Sequence, residues 1–106
     1  MRTVNVRGLP VRELFAGYRA QIVHSDRMSF SYVDIDAGAS FTEHDHPHEQ
    51  VINVLEGTFE LTIESDTQVL HPGDVAIVPP NARHRGTART RCRILDVFAP
   101  VREEYR

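Results

Sequence analysis

The chain has 106 residues, 41% of them hydrophobic, and a formal net charge of −3. That length and apolar content support one domain spanning residues 1–106 with a modest core, and leave no room for a second. The net charge carries no attraction for phosphate backbones or anionic lipid, which argues against nucleic-acid and membrane partners. No apolar run reaches the roughly 18–20 residues that span a bilayer. Met1-Arg2-Thr3-Val4-Asn5 has no signal-peptide pattern, so a soluble, cytoplasmic protein is expected. Cys92 is the single cysteine and excludes an internal disulfide; within Arg91-Cys92-Arg93-Ile94-Leu95 it reads as a small core or interface residue of a strand.

In chain order, Thr3 to Val6 reads as a strand with no local hairpin partner, and Val11 to Phe15 as the one short helix. Arg19 to Val23 and Ser29 to Asp36 are β-rich runs, the second ending at Ala37-Gly38-Ala39. Gln50 to Leu55 leads into Glu56-Gly57, Phe59 to Glu64 alternates apolar with polar, and Ser65-Asp66 is a two-residue turn candidate before Thr67 to Leu70. His71-Pro72-Gly73-Asp74 is a turn by composition, Val75 to Val78 a buried strand, Pro79-Pro80-Asn81 a rigid break, and Arg91 to Phe98 the last long strand. About eight short strands without helical crossovers fit an all-β closed barrel or sandwich better than an open parallel sheet. No internal repeat or linker is evident.

The chemistry concentrates in Gly38-Ala39-Ser40-Phe41-Thr42-Glu43-His44-Asp45-His46-Pro47-His48-Glu49-Gln50, followed by Gly57 and answered later by His84. Residues i and i+2 of a strand share a face, so His44 and His46 can bind one ion while Asp45 points away. Gln50, from the next strand, offers a neutral carbonyl oxygen. Imidazole and carbonyl donors suit Zn, Ni, Fe, Mn or Cu, and leave the metal's identity open.

These residues resemble the motifs of the cupins, small double-stranded β-helix (jelly-roll) barrels that hold a metal in their mouth. The likeness covers roughly residues 33–99. The first cupin motif is met by Gly38, His44, His46, Gln50 and Gly57, with glutamine where glutamate is usual; the second is met by Gly73, Pro79 and His84, with Asn81 where glycine is usual. Asparagine is the best non-glycine residue for positive φ, so that departure is mild. The resemblance implies one divalent transition metal held by His44, His46, Gln50 and His84, an uncharged set that leaves the ion's charge uncompensated and a position open for water or substrate.

A second segment, Asp96-Val97-Phe98-Ala99-Pro100-Val101-Arg102, together with the histidine run, is similar to the subgroup of cupins associated with pectin and alginate degradation, which linearise unsaturated uronate monosaccharides. That likeness implies Asp96 as general acid/base, Phe98 as a sugar-stacking wall and Arg102 as the clamp for a substrate carboxylate. The plainer readings are a rim aspartate bonding backbone and an arginine paired with Glu103 or Glu104. Other expectations are a metal-dependent dioxygenase-type cupin, or a non-catalytic sensor or binding barrel; a small anionic ligand fits all of them.

Among the remaining polar residues, Pro47 interrupts the ladder, so His48 is expected outside the metal's ligands. His24 and His71 read as solvated loop histidines, and Asn53 and Glu60 as outward-facing, with a place for Asn53 in the barrel beside the metal as the alternative. Arg89, Arg91 and Arg93 fall on one strand face opposite Cys92 and Ile94, a solvent or dimer surface; Arg83 or Arg85 could lean over the mouth. A homodimer that exchanges the Thr3–Val6 strand is expected, because it would cover exposed edges.

Overall fold

The computed structural model describes all 106 residues. Ten strands follow in order: β1 (Arg12–Phe15), β2 (Tyr18–His24), β3 (Ser29–Ile35), β4 (Ser40–His44), β5 (Glu49–Glu56), β6 (Phe59–Ile63), β7 (Asp66–Leu70), β8 (Val75–Val78), β9 (His84–Ala88) and β10 (Cys92–Ala99). They pair antiparallel throughout as a six-stranded sheet, β1-β2-β3-β10-β5-β8, and a four-stranded sheet, β4-β9-β6-β7. The two sheets face each other as a jelly roll around one core of 13 buried residues.

Alternation on the pleat decides what that core is made of. In β3, Ser29, Ser31, Val33 and Ile35 are buried while the residues between them are only partly covered. The register turns this alternation into rows across the large sheet: Tyr18, Ile35 and Cys92; then Ala20, Val33, Ile94 and Val54; then Ile22, Ser31, Asp96 and Ile52; then His24, Ser29, Phe98, Gln50 and Val78. The first two rows are mainly apolar and close one end of the barrel. The last two bring in serine, aspartate, glutamine and histidine, so the polar chemistry lies at one end.

Several local expectations give way to tertiary pairing. Val11 to Phe15 forms no helix: Arg12–Phe15 is β1, hairpinned to β2 through Gly17 at φ +81°, with Leu14 packed on the core. A five-residue helix lacks the length to stabilise itself, so packing decides. Thr3 to Val6 is no strand; Val6–Gly8 is a 3-10 turn, with Asn5 Oδ1 accepting the Arg7 amide at 3.0 Å. The β6–β7 turn falls on Glu64-Ser65, one residue earlier than expected, with Glu64 at φ +52°. Val75–Val78 is an edge strand whose Val75 and Ile77 are exposed, and β9 had no strong sequence signal. Cys92 is fully buried as expected, and Asn53 and Glu60 face outward.

Gly38 and Gly57 both sit at positive φ, +83° and +86°, but their surroundings differ. A Cβ at Gly57 would lie 2.1 Å from the Arg91 carbonyl oxygen, whereas at Gly38 it would meet nothing within 4 Å. G38A should therefore lose about 1 kcal/mol, the left-handed backbone term alone, and G57A about 3 kcal/mol or more. Urea unfolding checks this; equal losses would mean that the close approach at Gly57 is unimportant.

Candidate metal centre

The histidine run enters the barrel at the end of β4. His44 is the strand's last residue and pairs directly with His84, the first of β9. His46 lies past the strand end, yet the alternation continues: His46, His48 and Gln50 are buried, while Asp45, Pro47 and Glu49 are exposed. The break before β9 is pinned to this run. Asn81 takes φ +65°, and its amide donates to the His46 carbonyl at 2.8 Å. Glu64 grips the same connection from the other side, its amide donating to Arg83 O at 2.8 Å and its Oε1 accepting the Arg83 amide at 3.0 Å.

The imidazoles are oriented by their own backbone. Nδ1 of His44 lies 3.0 Å from Thr42 O, Nδ1 of His46 3.1 Å from His48 O, and Nδ1 of His84 3.0 Å from Ala82 O. A carbonyl only accepts, so each Nδ1 carries the proton and each Nε2 presents a lone pair, the arrangement of metal-binding histidines. Ligand atoms of His44, His46 and His84 lie within 4.8 Å of one another. Burial disfavours the charged form of two of the rings: it drives His84 down to about 4 and lowers His46, the latter helped by the nearby Arg102 charge. His84 Nε2 is enclosed and has no hydrogen-bond partner.

Gln50 sharpens the fit. Its Oε1 lies 3.0 Å from His46 Nε2, while His46 Nδ1 faces His48 O. A neutral imidazole has one N–H and both of these oxygens only accept, so in this orientation one contact is lone pair against lone pair, which either a shared cation or a turned Gln50 amide relieves. The donor set thus suits a divalent ion.

Beside His44 lies a small pocket open to solvent, with His44, Gln50, Asp96, Phe98, Arg102 and Tyr105 among its lining. Its remaining walls are mostly apolar and include Phe15, Tyr18 and Phe41. Asp96 is half-buried, and its Oδ1 is enclosed without a partner. Burial raises its pKa to about 7, against the opposing pull of the Gln50 amide and Arg102. The Arg102 side chain is only 12% exposed, with its guanidinium 4.8 Å from the Phe98 ring centre and 4.3 Å from that of Tyr105. Arg102 Nε comes within 3.4 Å of Glu104 Oε1 but is misaligned for a hydrogen bond.

Six buried side-chain atoms in the chain lack a hydrogen-bond partner: Tyr18 OH, Ser31 Oγ, His48 Nδ1, His84 Nε2, Asp96 Oδ1 and Arg102 Nε. Tyr18, Asp96 and Arg102 line the cavity, Ser31 pairs with Asp96 across β3–β10, and the His48 ring sits 5.5 Å from that of His46. Each such atom costs about 1–3 kcal/mol if left unmet. Six together would rival the ~5–15 kcal/mol stability of a whole domain. Polar occupants, whether water, ion or ligand, belong in this end of the barrel.

The residues read from the sequence therefore meet: His44, His46, Gln50 and His84 in one cluster, and Asp96, Phe98 and Arg102 on the adjoining cavity. His48 faces inward despite Pro47, but is outside the cluster of three. Arg83 and Arg85 are exposed away from the mouth; Arg83 pairs with Glu64. Arg91 bridges Asp34 and Glu56, and Arg93 also pairs with Asp34, while Arg89 lies outside β10 and pairs with Glu60. His71 is exposed as expected, but His24 is half-buried and hydrogen-bonded. Tyr18 and Tyr105 went unnoticed in the sequence; Tyr105 lies one 3-10 turn beyond Arg102, the only local hint that the two rings and the guanidinium would stack.

The Cupin domain family model matches residues 31–98. The chain belongs to the cupin family. Among curated proteins this cupin is 31% identical over 99 residues to the pectin degradation protein KdgF of Dickeya dadantii, covering 91% of the chain and 90% of that protein. It is 35% identical over 83 residues to L-ectoine synthase of Mycolicibacterium vanbaalenii, covering 74% and 64%. Among solved structures it superposes on KdgF from Halomonas sp. with a TM-score of 0.88 at 27% identity, over 94% of both chains. An RmlC-like cupin from Shewanella frigidimarina gives 0.93 at 26% identity, over 100% and 96%.

Metal binding has two readouts. A divalent ion at 100 times its Kd should add about 2.7 kcal/mol to stability, and chelator should remove it. H84A should abolish both the thermal shift and the bound metal while keeping its far-UV spectrum. Unchanged metal content in H84A would sink the three-histidine assignment.

Proposed function

We propose that this cupin is an enzyme that linearises 4,5-unsaturated uronate monosaccharides, using one divalent transition metal held by His44, His46, Gln50 and His84. What carries the reading is that Asp96, Phe98 and Arg102 line one cavity with His44 and Gln50. Similarity to KdgF, a protein named for pectin degradation, supports the substrate class, and similarity to a synthase supports an enzyme at the coarser level.

A 4,5-unsaturated uronate is a cyclic enol ether and a hemiacetal. Arg102, offering forked N–H donors, binds the carboxylate at C5. Phe98 has the Arg102 guanidinium against its ring and so positions the clamp besides walling the cavity. Asp96, held protonated in part by its burial, donates a proton to C4. The C1 hydroxyl gives up its proton, its bonding pair becomes the aldehyde, the C1–O5 bond breaks, and the former C4=C5 pair takes the proton at C4 as C5 becomes a ketone. One proton enters and one leaves, so the step is an isomerisation and consumes no oxidant. A divalent ion there supplies a Lewis acid for a substrate oxygen.

The same reading includes a cytosolic homodimer. The face of the large sheet turned away from the core carries an apolar row, Val23, Phe30, Val97, Val51 and Ile77, in register across five strands. Ile77 is 61% exposed. A second copy laid on this row would cover it. Light scattering should show a dimer for the wild type and a monomer for I77E; a dimer that survives both I77E and V51E would place the interface elsewhere.

Turnover is read from loss of the ring-alkene absorbance of unsaturated galacturonate. D96N should lose at least about 100-fold in kcat while keeping its metal, and R102A should raise KM. Turnover should be equal without dioxygen. If the metal-loaded wild type is no faster than buffer, the reaction is wrong.

A further inference from the structure

The Arg102 side chain hangs from the short segment that follows β10, and what holds that segment is a chain of hydrogen bonds from β2 and β3. The Arg102 amide donates to Ser29 Oγ at 2.8 Å. Ser29 Oγ lies 2.8 Å from His24 Nδ1, and His24 Nε2 lies 3.2 Å from the Tyr105 carbonyl oxygen. Arg12 Nη1 donates to that same oxygen. His24 and Ser29 are direct cross-strand partners, and Ser29 also pairs with Phe98.

The Tyr105 carbonyl only accepts, so His24 Nε2 carries a hydrogen. With Nδ1 unprotonated, that nitrogen accepts the Ser29 hydroxyl hydrogen. The serine oxygen is left free to accept the Arg102 amide. The sequence is Arg102 N–H to Ser29, Ser29 O–H to His24, His24 N–H to Tyr105, with no donor or acceptor wasted. It ties down both ends of a single turn, Arg102 to Tyr105. The turn's ends being fixed, the Arg102 side chain leaves it inward and the Tyr105 ring closes on the guanidinium at 4.3 Å. Ser29 is fully buried, which protects the chain of bonds from water. Residues 102–105 lie outside any strand ladder, so these ties are what fix them.

We propose that His24 and Ser29 are positioning residues for the anion-binding arginine: together they latch the 102–105 turn so that Arg102 presents its donors to the cavity. Neither side chain is among those lining the cavity, so both act through Arg102. That the anion is a uronate carboxylate rests on the function proposed above; the latch does not.

Two readouts on the metal-loaded full chain test it. The first is hydrogen exchange at the Arg102 amide by NMR, which needs no substrate: S29A and H24A should exchange it about tenfold faster than wild type. H24Q, whose amide can reach the Tyr105 carbonyl, should restore most of the protection. The second is steady-state turnover of unsaturated galacturonate, where S29A and H24A should raise KM about tenfold with kcat within about twofold and metal content unchanged. H24Q should recover KM. Wild-type exchange and KM in both alanine variants would overturn the latch. So would H24Q as impaired as H24A with metal lost from all three, which would mark general destabilisation. If the wild type does not linearise the uronate, the functional reading fails, and the exchange measurement alone decides the latch.

Discussion

Three backbone carbonyls, those of Thr42, His48 and Ala82, govern the chemistry of the open end of this barrel. Each takes the Nδ1 proton of a histidine two residues away, and so turns a rotatable ring into a fixed lone-pair donor. The interaction is local in sequence, but its effect requires that three such units meet. The β4–β9 register supplies one junction, His44 against His84, and the Asn81 amide on the His46 carbonyl supplies the other. Asparagine at positive φ therefore does more than permit a turn; it bonds the second histidine motif to the first.

Electrostatics at this end follow from what the ligands lack. Neutral imidazoles and an amide bring no negative charge, so a bound dication would keep its field and favour anions. Arg102 adds a fixed positive charge that is stripped of most of its water and compensated by two ring faces and Glu104. Asp96 is the one acidic group facing this space from β10, and burial holds it near the point of proton exchange. A single carboxyl that can hold or release a proton, beside a cation free to pair with a carboxylate, is the set of parts that the proposed protonation of an anionic enol ether requires.

The metal-binding half was legible in the sequence because its signals are local. His-x-His, an amide four residues on, and a Pro-Pro-Asn break before His84 are spaced by strand alternation and turn conformation, and both survive folding. Even Pro47, expected to disrupt the pattern, leaves it intact, since the residue lies in the bend between β4 and β5, outside either strand, where no ladder bond is required. β1 was misread because Val11–Phe15 carries no decisive periodicity over five residues, and its hairpin with β2 is settled by Gly17 and by Leu14 finding the core. His24 was misread for a related reason. Its flanking Ser25-Asp26 looks like solvated loop, and nothing local announces that a residue 81 positions later will supply its acceptor.

The site thus has two halves with different mechanical bases. His44 and His84 sit on paired strands, and Gln50 on a strand flanked by β8 and β10, so their geometry is inherited from backbone ladders inside the barrel. Arg102 and Tyr105 sit beyond the last strand, held by side-chain bonds from Arg12, His24 and Ser29 and by packing on the Phe98 ring. Substitutions in the first half must preserve a sheet and would disturb any metal. Substitutions in the second leave the histidine cluster intact. If the proposed function holds, a fold divided in this way can keep one centre and change its substrate, because the part assigned to the anion is not the part that builds the barrel.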